Sequence, residues 1–430
     1  MKLVVVGSGY VGLTTGMCLS DAWIRRTGRQ LKLVFLDVVK EKIDSINAGR
    51  LPIFEQGLGE IFAGLMSKGV IEATSDYRNA VRGADFIILT LPTPSRVDGT
   101  TDLSYVEGAT RTMAAVLKET DTKPVLIYRS TVLPGTTERM RELMRKEFGL
   151  VTGRDYWLCM NPEHLSEGTA VRDFTKPDKL IIGQNDQESG ERLLKLYAEA
   201  GMLPTDGKTF KMPLREAEME KYFSNAYLAT KVSFSNQMAN LCDKFDVNYD
   251  TVRDAACSDS RLGPKFTVPG IGFGGSCFTK DVKALVSSGN GAGVSTELLE
   301  SVLAANDAQP AKMAALIDRL HAVRGKRIGV LGVTFKGETD DLRATMVAPL
   351  VAELQRLGAE VAIADPYAKN EEVTKLFGIP LQNEDELIAH ADLLVIGADH
   401  KRYKERTYNK PLFDAKHSLR GARSIGGVVN

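Results

Sequence analysis

A chain of 430 residues is too long for one compact hydrophobic core, so its length predicts two or three domains. Apolar residues make up 43% and charged residues 26%, and Lys plus Arg equal Asp plus Glu at 55 each. A formal net charge of zero gives no global positive field of the kind that attracts nucleic acid or an anionic membrane, although local basic patches would suit an anionic substrate.

The N-terminal residues enter a strand pattern directly, without the features of a signal peptide, and no apolar run approaches the ~20 residues of a membrane span. We therefore expect a cytoplasmic protein. The five cysteines form no CxxC pair, which argues against a disulfide framework or a metal site. They are scattered singly along the chain at Cys18, Cys159, Cys242, Cys257 and Cys277.

The first block of the chain alternates strand and helix patterns. Buried parallel strands are predicted at residues 3–6, 31–37, 84–90 and 123–131, where apolar and β-branched residues form short runs. Amphipathic stretches that read as helices separate them. This alternation predicts an α/β fold with a doubly wound parallel sheet.

A stretch without Gly or Pro at residues 214–243 has apolar residues at helical spacing, and at ~1.5 Å per residue it would span ~45 Å. It could bridge two domains and offer a face to a partner subunit, or be a plain core helix. From about residue 324 the pattern of the first block recurs: a strand followed by a Gly turn, then a strand that ends in an acidic residue. This recurrence predicts a second Rossmann-like domain. The predicted domains are 1–205, 206–318 and 319–430.

A dinucleotide fingerprint, GSGYVG, follows the first strand and opens a helix. Gly7 allows the tight turn, Gly9 the approach of a pyrophosphate, and Gly12 the packing of helix on sheet. Asp37 ends the second strand, where a carboxylate can accept hydrogen bonds from both ribose hydroxyls and would repel a 2′-phosphate. The pattern predicts NAD as the cofactor.

A glycine-rich loop precedes one cysteine in the segment GFGGSCFTKD. Such loops let the backbone approach a ligand closely. Cys277 has Lys280 and Asp281 beside it, and a nearby ammonium lowers the pKa of a thiol and makes it a nucleophile. On these residues alone, a structural cysteine before a helix is an equally good interpretation.

The same segment resembles the active-site motif of the nucleotide-sugar dehydrogenase family, in its UDP-glucose-oxidising form. Further motifs resemble that family in order along nearly the whole chain: LPIFEQGL, TPS, RSTVLPGTT, NPEHLSEG, EMEKYFSNAYLATKVSFSNQ, DSRLGPKF and GVTFKGETDDLR. The resemblance implies two Rossmann-like domains joined by a long helix that carries a homodimer interface. It also implies oxidation of an alcohol to an acid with two NAD, through a thiohemiacetal and a thioester on Cys277.

By this resemblance, Lys221, Asn225, Asp281 and Thr131 surround the oxygen of the first oxidation, and Glu163 is the base for thioester hydrolysis. The implied cofactor contacts are Gly7, Gly9, Tyr10, Val11, Gly12, Asp37, Lys42, Thr93, Pro94, Thr131, Glu167, Lys280 and Arg343. The implied substrate contacts are Glu163, Leu165, Lys221, Asn225, Arg261, Lys265, Phe266, Gly270, Gly274, Phe278 and Lys336. Arg261 is expected to reach the partner subunit's site, and without the motif Lys221 would be interpreted as a solvated helix lysine.

The sequence departs from the family pattern in a few places. Thr279 stands where Pro or Gln is usual, and His164 replaces a Phe. His164 is either a tolerated aromatic substitute or an added donor near the sugar. The usual Glu-Ser after Arg343 is absent, and the segment GADHKRYKERTY departs from another motif that is common in the family. These changes affect the expected nucleotide contacts more than the chemistry.

The leading functional prediction is oxidation of UDP-glucose to UDP-glucuronate. Within the class, the alternatives are oxidation of a UDP-N-acetylhexosamine or of GDP-mannose, since a pocket discriminates only modestly between related sugars. Outside it, the alternatives are a non-catalytic nucleotide-sugar-binding protein and a single-step dehydrogenase. The last of these leaves the cysteine loop without a role.

Overall fold

The computed structural model describes residues 1–419 and the strand Val428–Val429. The chain divides into two units, Met1–Phe223 and Ser224–Asn430.

The first unit is built on an eight-stranded sheet. Its strands are β1 (Lys2–Val6), β2 (Lys32–Leu36), β3 (Ile71–Thr74), β4 (Phe86–Leu89), β5 (Val125–Tyr128), β6 (Trp157–Met160), β7 (Leu180–Gln184) and β8 (Thr209–Pro213). Their order is β3-β2-β1-β4-β5-β6-β7-β8, with neighbouring strands parallel except β6 and β7. The first six strands follow the order of dinucleotide-binding sheets.

Helices cover both faces of this sheet. They are α1 (Tyr10–Thr27), α2 (Lys40–Asn47), α3 (Leu58–Ser67), α4 (Tyr77–Val81), α5 (Ser104–Lys118), α6 (Thr136–Phe148), α7 (Ala170–Thr175) and α8 (Gln187–Ala200). Alternate residues of β1 enter two separate cores: Leu3 and Val5 pack on one side, Val4 and Val6 on the other. Burial on both faces explains why these strands read as continuous apolar runs.

A single long helix, α9 (Leu214–Lys244), crosses the boundary between the units. It begins directly after Pro213, and its 31 residues contain neither Gly nor Pro, so nothing in the sequence interrupts it. Large apolar side chains along it are exposed to solvent, among them Phe223 (69%) and Phe234 (62%).

The second unit continues with α10 (Tyr249–Cys257), α11 (Phe278–Gly291), α12 (Glu297–Asp307), α13 (Gln309–His321), α14 (Val347–Arg356), α15 (Asn370–Phe377), α16 (Glu384–His390) and α17 (Lys401–Lys404). Its sheet comprises β9 (Arg327–Leu331), β10 (Glu360–Ala364), β11 (Leu393–Ile396), β12 (Leu412–Asp414) and β13 (Val428–Val429). The order is β10-β9-β11-β12-β13, and β13 pairs antiparallel to β12.

The predicted fold class is confirmed: two α/β sheets and a long central helix are present. All four predicted strands are present. The one predicted at 3–6 spans Lys2–Val6, and the other three are shorter than predicted; the one predicted at 123–131, for example, spans Val125–Tyr128. In the part of the chain that the structure describes, no helix has both the length and the apolar character needed to cross a membrane. The three-domain division stays a prediction.

Candidate active site

The fingerprint turn between β1 and α1 is shaped by three glycines. Gly7 has a φ of 99°, and a Cβ on Gly12 would lie 2.0 Å from the Gly7 carbonyl oxygen, so neither position accepts a side chain. A Cβ on Gly9 would meet nothing within 4 Å. Among the described residues no side chain caps α1, which starts at Tyr10 and continues with Val11. The open space at Gly9 and the uncapped helix start fit a pyrophosphate.

Asp37 lies just after β2, beside this turn. Its Oδ2 accepts hydrogen bonds from the Ser8 amide (2.7 Å) and hydroxyl (2.5 Å), and its Oδ1 from the Val39 amide (2.9 Å). Burial alone would raise the pKa of Asp37, but these bonds and the charge of Lys42 lower it below its usual value. An ionised carboxylate at the end of this strand fits the ribose hydroxyls of NAD.

Two further loops meet at the carboxyl ends of β4 and β5. The Thr93 hydroxyl donates to the Thr131 carbonyl oxygen at 2.9 Å, which brings two predicted contacts together. Thr93 is buried, whereas Pro94 beside it is exposed. Both loops lie at the edge of the sheet where nucleotides bind in open α/β folds.

The loop after β6 holds a buried ion pair. The Lys221 ammonium lies 3.0 Å from Glu163 Oε1, and both side chains are almost wholly buried. Glu163 Oε2 accepts a hydrogen bond from the Leu165 amide at 2.7 Å. Burial would raise the pKa of Glu163, but Lys221 and this amide lower it to about 2. Lys221 is therefore not the solvated lysine that its position alone would predict.

A second polar cluster adjoins this pair and was missed by the sequence reasoning. His164 Nε2 lies 2.9 Å from Glu220 Oε2, and Lys179 pairs with the other oxygen of Glu220. Burial lowers the pKa of His164, and the Glu220 carboxylate only partly opposes this. Glu220 lies in the quoted segment EMEKYFSNAYLATKVSFSNQ, but neither it nor Lys179 was singled out, because each reads as an ordinary surface charge.

Glu55 was also missed, although it lies in the quoted segment LPIFEQGL. It is buried, and its carboxylate accepts hydrogen bonds from the Tyr10 hydroxyl and from the Gly168 (2.7 Å) and Ala170 (2.8 Å) amides. Glu167, a predicted cofactor contact, lies near enough to Tyr10 for its charge to contribute to the raised pKa of that phenol, after burial and Glu55.

In the second unit, Cys277 immediately precedes α11 and is exposed. Its Sγ lies 3.6 Å from the Ser276 hydroxyl. Within the first turn of α11, Asp281 is wholly buried, receives a hydrogen bond from the Asn225 amide at 2.6 Å, and pairs with Lys280. An accessible thiol therefore lies at the start of a helix whose first turn holds a buried carboxylate.

The glycines before Cys277 allow close packing within this unit. A Cβ on Gly274 would lie 2.4 Å from the Ala344 carbonyl oxygen, and the Gly275 amide donates to the Arg343 carbonyl at 3.1 Å. Phe335 covers the Gly275 Cα, and the Lys336 ammonium lies 5.6 Å from the centre of that ring. The glycine loop before Cys277 therefore packs against the segment at residues 335–344, which contains the predicted contacts Lys336 and Arg343.

Other predicted substrate contacts lie at or near the surface of the second unit. Phe278 packs against the Phe266 ring with centroids 6.2 Å apart, and Phe266 has a φ of 63°. The Gly270 amide donates to Asn236 Oδ1 at 2.7 Å. Lys265 is exposed.

The two predicted arginines of this unit bind carboxylates of their own segments. Arg261 pairs with Asp259 at 2.6 Å and Arg343 with Asp341 at 2.7 Å, and both side chains are exposed. Their expected roles toward a neighbouring site and toward the cofactor stay predictions.

Three family models match the chain along its length. They describe the NAD binding domain (residues 1–201), the central domain (215–308) and the UDP binding domain (329–420) of the UDP-glucose/GDP-mannose dehydrogenase family. These matches support NAD as the cofactor and a nucleotide sugar as the substrate.

Individual relatives agree with the models. The chain is 35% identical to the UDP-glucose 6-dehydrogenase AglM of Haloferax volcanii over 408 residues, 93% of this chain and 91% of that protein. It is 33% identical to the GDP-mannose 6-dehydrogenase of Azotobacter vinelandii, over 96% and 94% of the two chains. A UDP-glucose dehydrogenase structure from Pyrobaculum islandicum superposes with a TM-score of 0.86 at 31% identity, covering 97% and 95%. The chain belongs to the UDP-glucose/GDP-mannose dehydrogenase family and is an NAD-dependent nucleotide-sugar dehydrogenase.

Proposed function

We propose that this enzyme oxidises the C6 alcohol of UDP-glucose to the carboxylate of UDP-glucuronate. The balanced reaction consumes one water and two NAD⁺ and yields two NADH and three protons. The similarity to two UDP-glucose enzymes supports this sugar, as does the GGSCF motif. The GDP-mannose relative at 33% identity supports GDP-mannose as the second candidate.

In the first oxidation, Lys221 and Asn225 stabilise the oxygen of the sugar as it loses its proton. They lie one turn apart on α9 and therefore project from the same face of the helix. The buried Asp281 fixes the Asn225 amide by accepting its hydrogen bond, and Thr131 lies at the edge of the cofactor sheet. NAD⁺, when bound, accepts one hydride in each of the two oxidations.

In the second oxidation, the Cys277 sulfur adds to the aldehyde and forms a thiohemiacetal. Loss of a hydride from that carbon and of the proton from its hydroxyl leaves a thioester, which water hydrolyses to the acid and the regenerated thiol. The accessible thiol at the start of α11 supports this role, since a helix N-terminus favours a negative group. A bare aldehyde lacks this route, which is why the second step requires a nucleophile.

Glu163 is proposed to orient and activate the water that attacks the thioester. A carboxylate whose pKa is held at about 2 is a weak base. We therefore propose that Lys221 turns from Glu163 to the oxygen of the sugar when substrate binds. Glu163 would then lose the cation that lowers its pKa and become a better proton acceptor.

The remaining predicted contacts are proposed to bind the sugar nucleotide and cofactor. Lys336 and Arg343 supply cations for phosphate groups, and Arg suits oxygen ligands because it donates two parallel hydrogen bonds. The flexible stems of Lys265 and Arg261 lie at the surface, where a nucleotide can reach them.

We also propose that α9 mediates a homodimer. Apolar side chains recur on one side of this helix at Phe223, Tyr227, Phe234 and Leu241, and each is about half exposed or more. Exposure of a contiguous apolar stripe in water is unfavourable, and a second copy of the same helix would bury it.

The experiment that tests the proposal is a stoichiometric assay of purified enzyme with UDP-glucose. NADH is followed by absorbance and UDP-glucuronate is counted by chromatography. We expect two NADH for each molecule of acid formed. We also expect Cys277→Ser not to release acid as fast as the wild type does. Turnover of GDP-mannose or a UDP-N-acetylhexosamine instead would reassign the sugar. One NADH per sugar would refute the thioester route.

A further inference from the structure

Glu55 is a buried carboxylate whose charge no cation neutralises among the described residues. It is 5% exposed and takes part in no ion pair there, and three hydrogen-bond donors converge on its two oxygens. Leaving such a group ionised in the interior is costly unless its lone pairs are satisfied. Glu55 therefore joins the segments of the chain that supply its three donors.

The three donors come from two separate parts of the first unit. Tyr10 is the first residue of α1, inside the cofactor fingerprint, and donates through its hydroxyl. The Gly168 amide lies at the end of the loop that begins after β6 and holds Glu163, and the Ala170 amide belongs to the first residue of α7, which follows this loop. Burial and the Glu55 contact raise the pKa of Tyr10, so its hydroxyl keeps its proton and remains a donor.

We propose that Glu55 is a positioning residue that ties the loop at residues 161–169 to the start of the cofactor helix. Through this tie, the placement of Glu163 depends on the fingerprint turn that holds the cofactor. The inference rests on the proposed function, in which Glu163 acts on the thioester. Loss of the tie impairs thioester hydrolysis more than the first hydride transfer.

The diagnostic variant is Glu55→Gln, which keeps the size of the side chain but replaces one acceptor oxygen with an NH₂ group. Tyr10 can turn its hydroxyl to accept from that group, whereas a backbone amide cannot. One of the two loop amides therefore loses its acceptor. Tyr10→Phe keeps both loop bonds and serves as the second variant. Glu60→Gln, an exposed site on α3, is the matched control.

The first readout needs no substrate. Hydrogen–deuterium exchange of the NAD-bound enzyme should show amide exchange about tenfold or more faster in Glu55→Gln at whichever of Gly168 and Ala170 loses its acceptor, with α5 and α6 unchanged. Tyr10→Phe should change these two amides less, and Glu60→Gln not at all. Unchanged exchange in Glu55→Gln overturns the tie.

The second readout follows the reaction with UDP-glucose. Glu55→Gln should lower kcat about 10- to 100-fold, change KM for NAD by less than about threefold, and accumulate a covalent sugar adduct on Cys277 visible by intact mass spectrometry. If the rate of every step fell equally and no adduct accumulated on Cys277, Glu55 would have only a structural role and the proposal would be overturned. If the wild-type enzyme turns over no nucleotide sugar, the proposed function fails, while the exchange experiment still decides whether the tie exists.

Discussion

Replacing Lys221 by methionine should destabilise the first unit strongly. The substitution keeps the length of the side chain in α9 but removes the cation that lies 3.0 Å from Glu163 Oε1. Both groups are nearly wholly buried, so solvent cannot compensate the carboxylate that remains. Breaking a buried ion pair from one side costs about 3–5 kcal/mol.

The low pKa of Glu163, which reflects the same ion pair and the Leu165 amide, gives a second estimate of the stability at stake and its pH dependence. Its fall from the ordinary value of 4.5 to about 2, at about 1.4 kcal/mol per pH unit, corresponds to about 3 kcal/mol. Because the folded-state pKa lies below the unfolded one, this stability is fully present above about pH 5 and is lost as the pH falls toward 2. Linkage predicts that somewhat less than half of it is already lost at pH 3.5.

The assay is urea unfolding of wild type, Lys221→Met, Glu163→Gln and the double variant, at several pH values. The double variant should recover much of the stability that Lys221→Met loses, because it no longer buries an unpaired charge. Lys211→Met, which removes the cation of an exposed ion pair, is the control and should cost about 1 kcal/mol or less. A loss at Lys221 no larger than at Lys211, or one that does not change with pH, would refute the reasoning.

Three further predictions concern other parts of the molecule. Asp37→Ala should raise KM for NAD about tenfold or more while NADP becomes a better competitor, measured by initial rates with both cofactors; an unchanged ratio would contradict the cofactor placement. Gly12→Ala should abolish NAD binding in calorimetry and lower the melting temperature, because its Cβ would meet a carbonyl oxygen at 2.0 Å, whereas Gly108→Ala, with nothing within 4 Å, should be neutral or stabilising. Phe234→Glu should shift the proposed dimer to a monomer in light scattering, and an unchanged mass would place the subunit interface elsewhere.

Sequence reasoning worked best where a local pattern determines the structure. The apolar run before Gly7 and the uninterrupted stretch from Leu214 predicted a strand and a helix that the structure has at nearly the same bounds. Such elements follow from the periodicity and propensity of adjacent residues. The predicted cofactor, NAD, is confirmed for the same reason, since the fingerprint is a local motif.

The polar clusters could not be predicted in this way. Lys221 is buried only because the loop holding Glu163, remote in sequence, packs on α9, and Glu55 is buried only because Gly168 and Ala170 meet it. A charged residue in isolation gives no sign of such a partner, and its ordinary place is the surface. The family resemblance assigned roles to Lys221 and Glu163, but it assigned none to Glu55 and did not indicate the ion pair itself.

The distribution of thiols has a practical consequence. Four of the five cysteines are buried or half-buried, which limits the access of alkylating agents to their sulfur atoms. Burial also raises the pKa of Cys18 to about 12, so this thiol is protonated at neutral pH. Cys277 alone is exposed. The native enzyme should therefore consume one equivalent of iodoacetamide per chain in a fast phase. The amplitude of this fast phase would count the sulfur atoms accessible to substrate in any preparation.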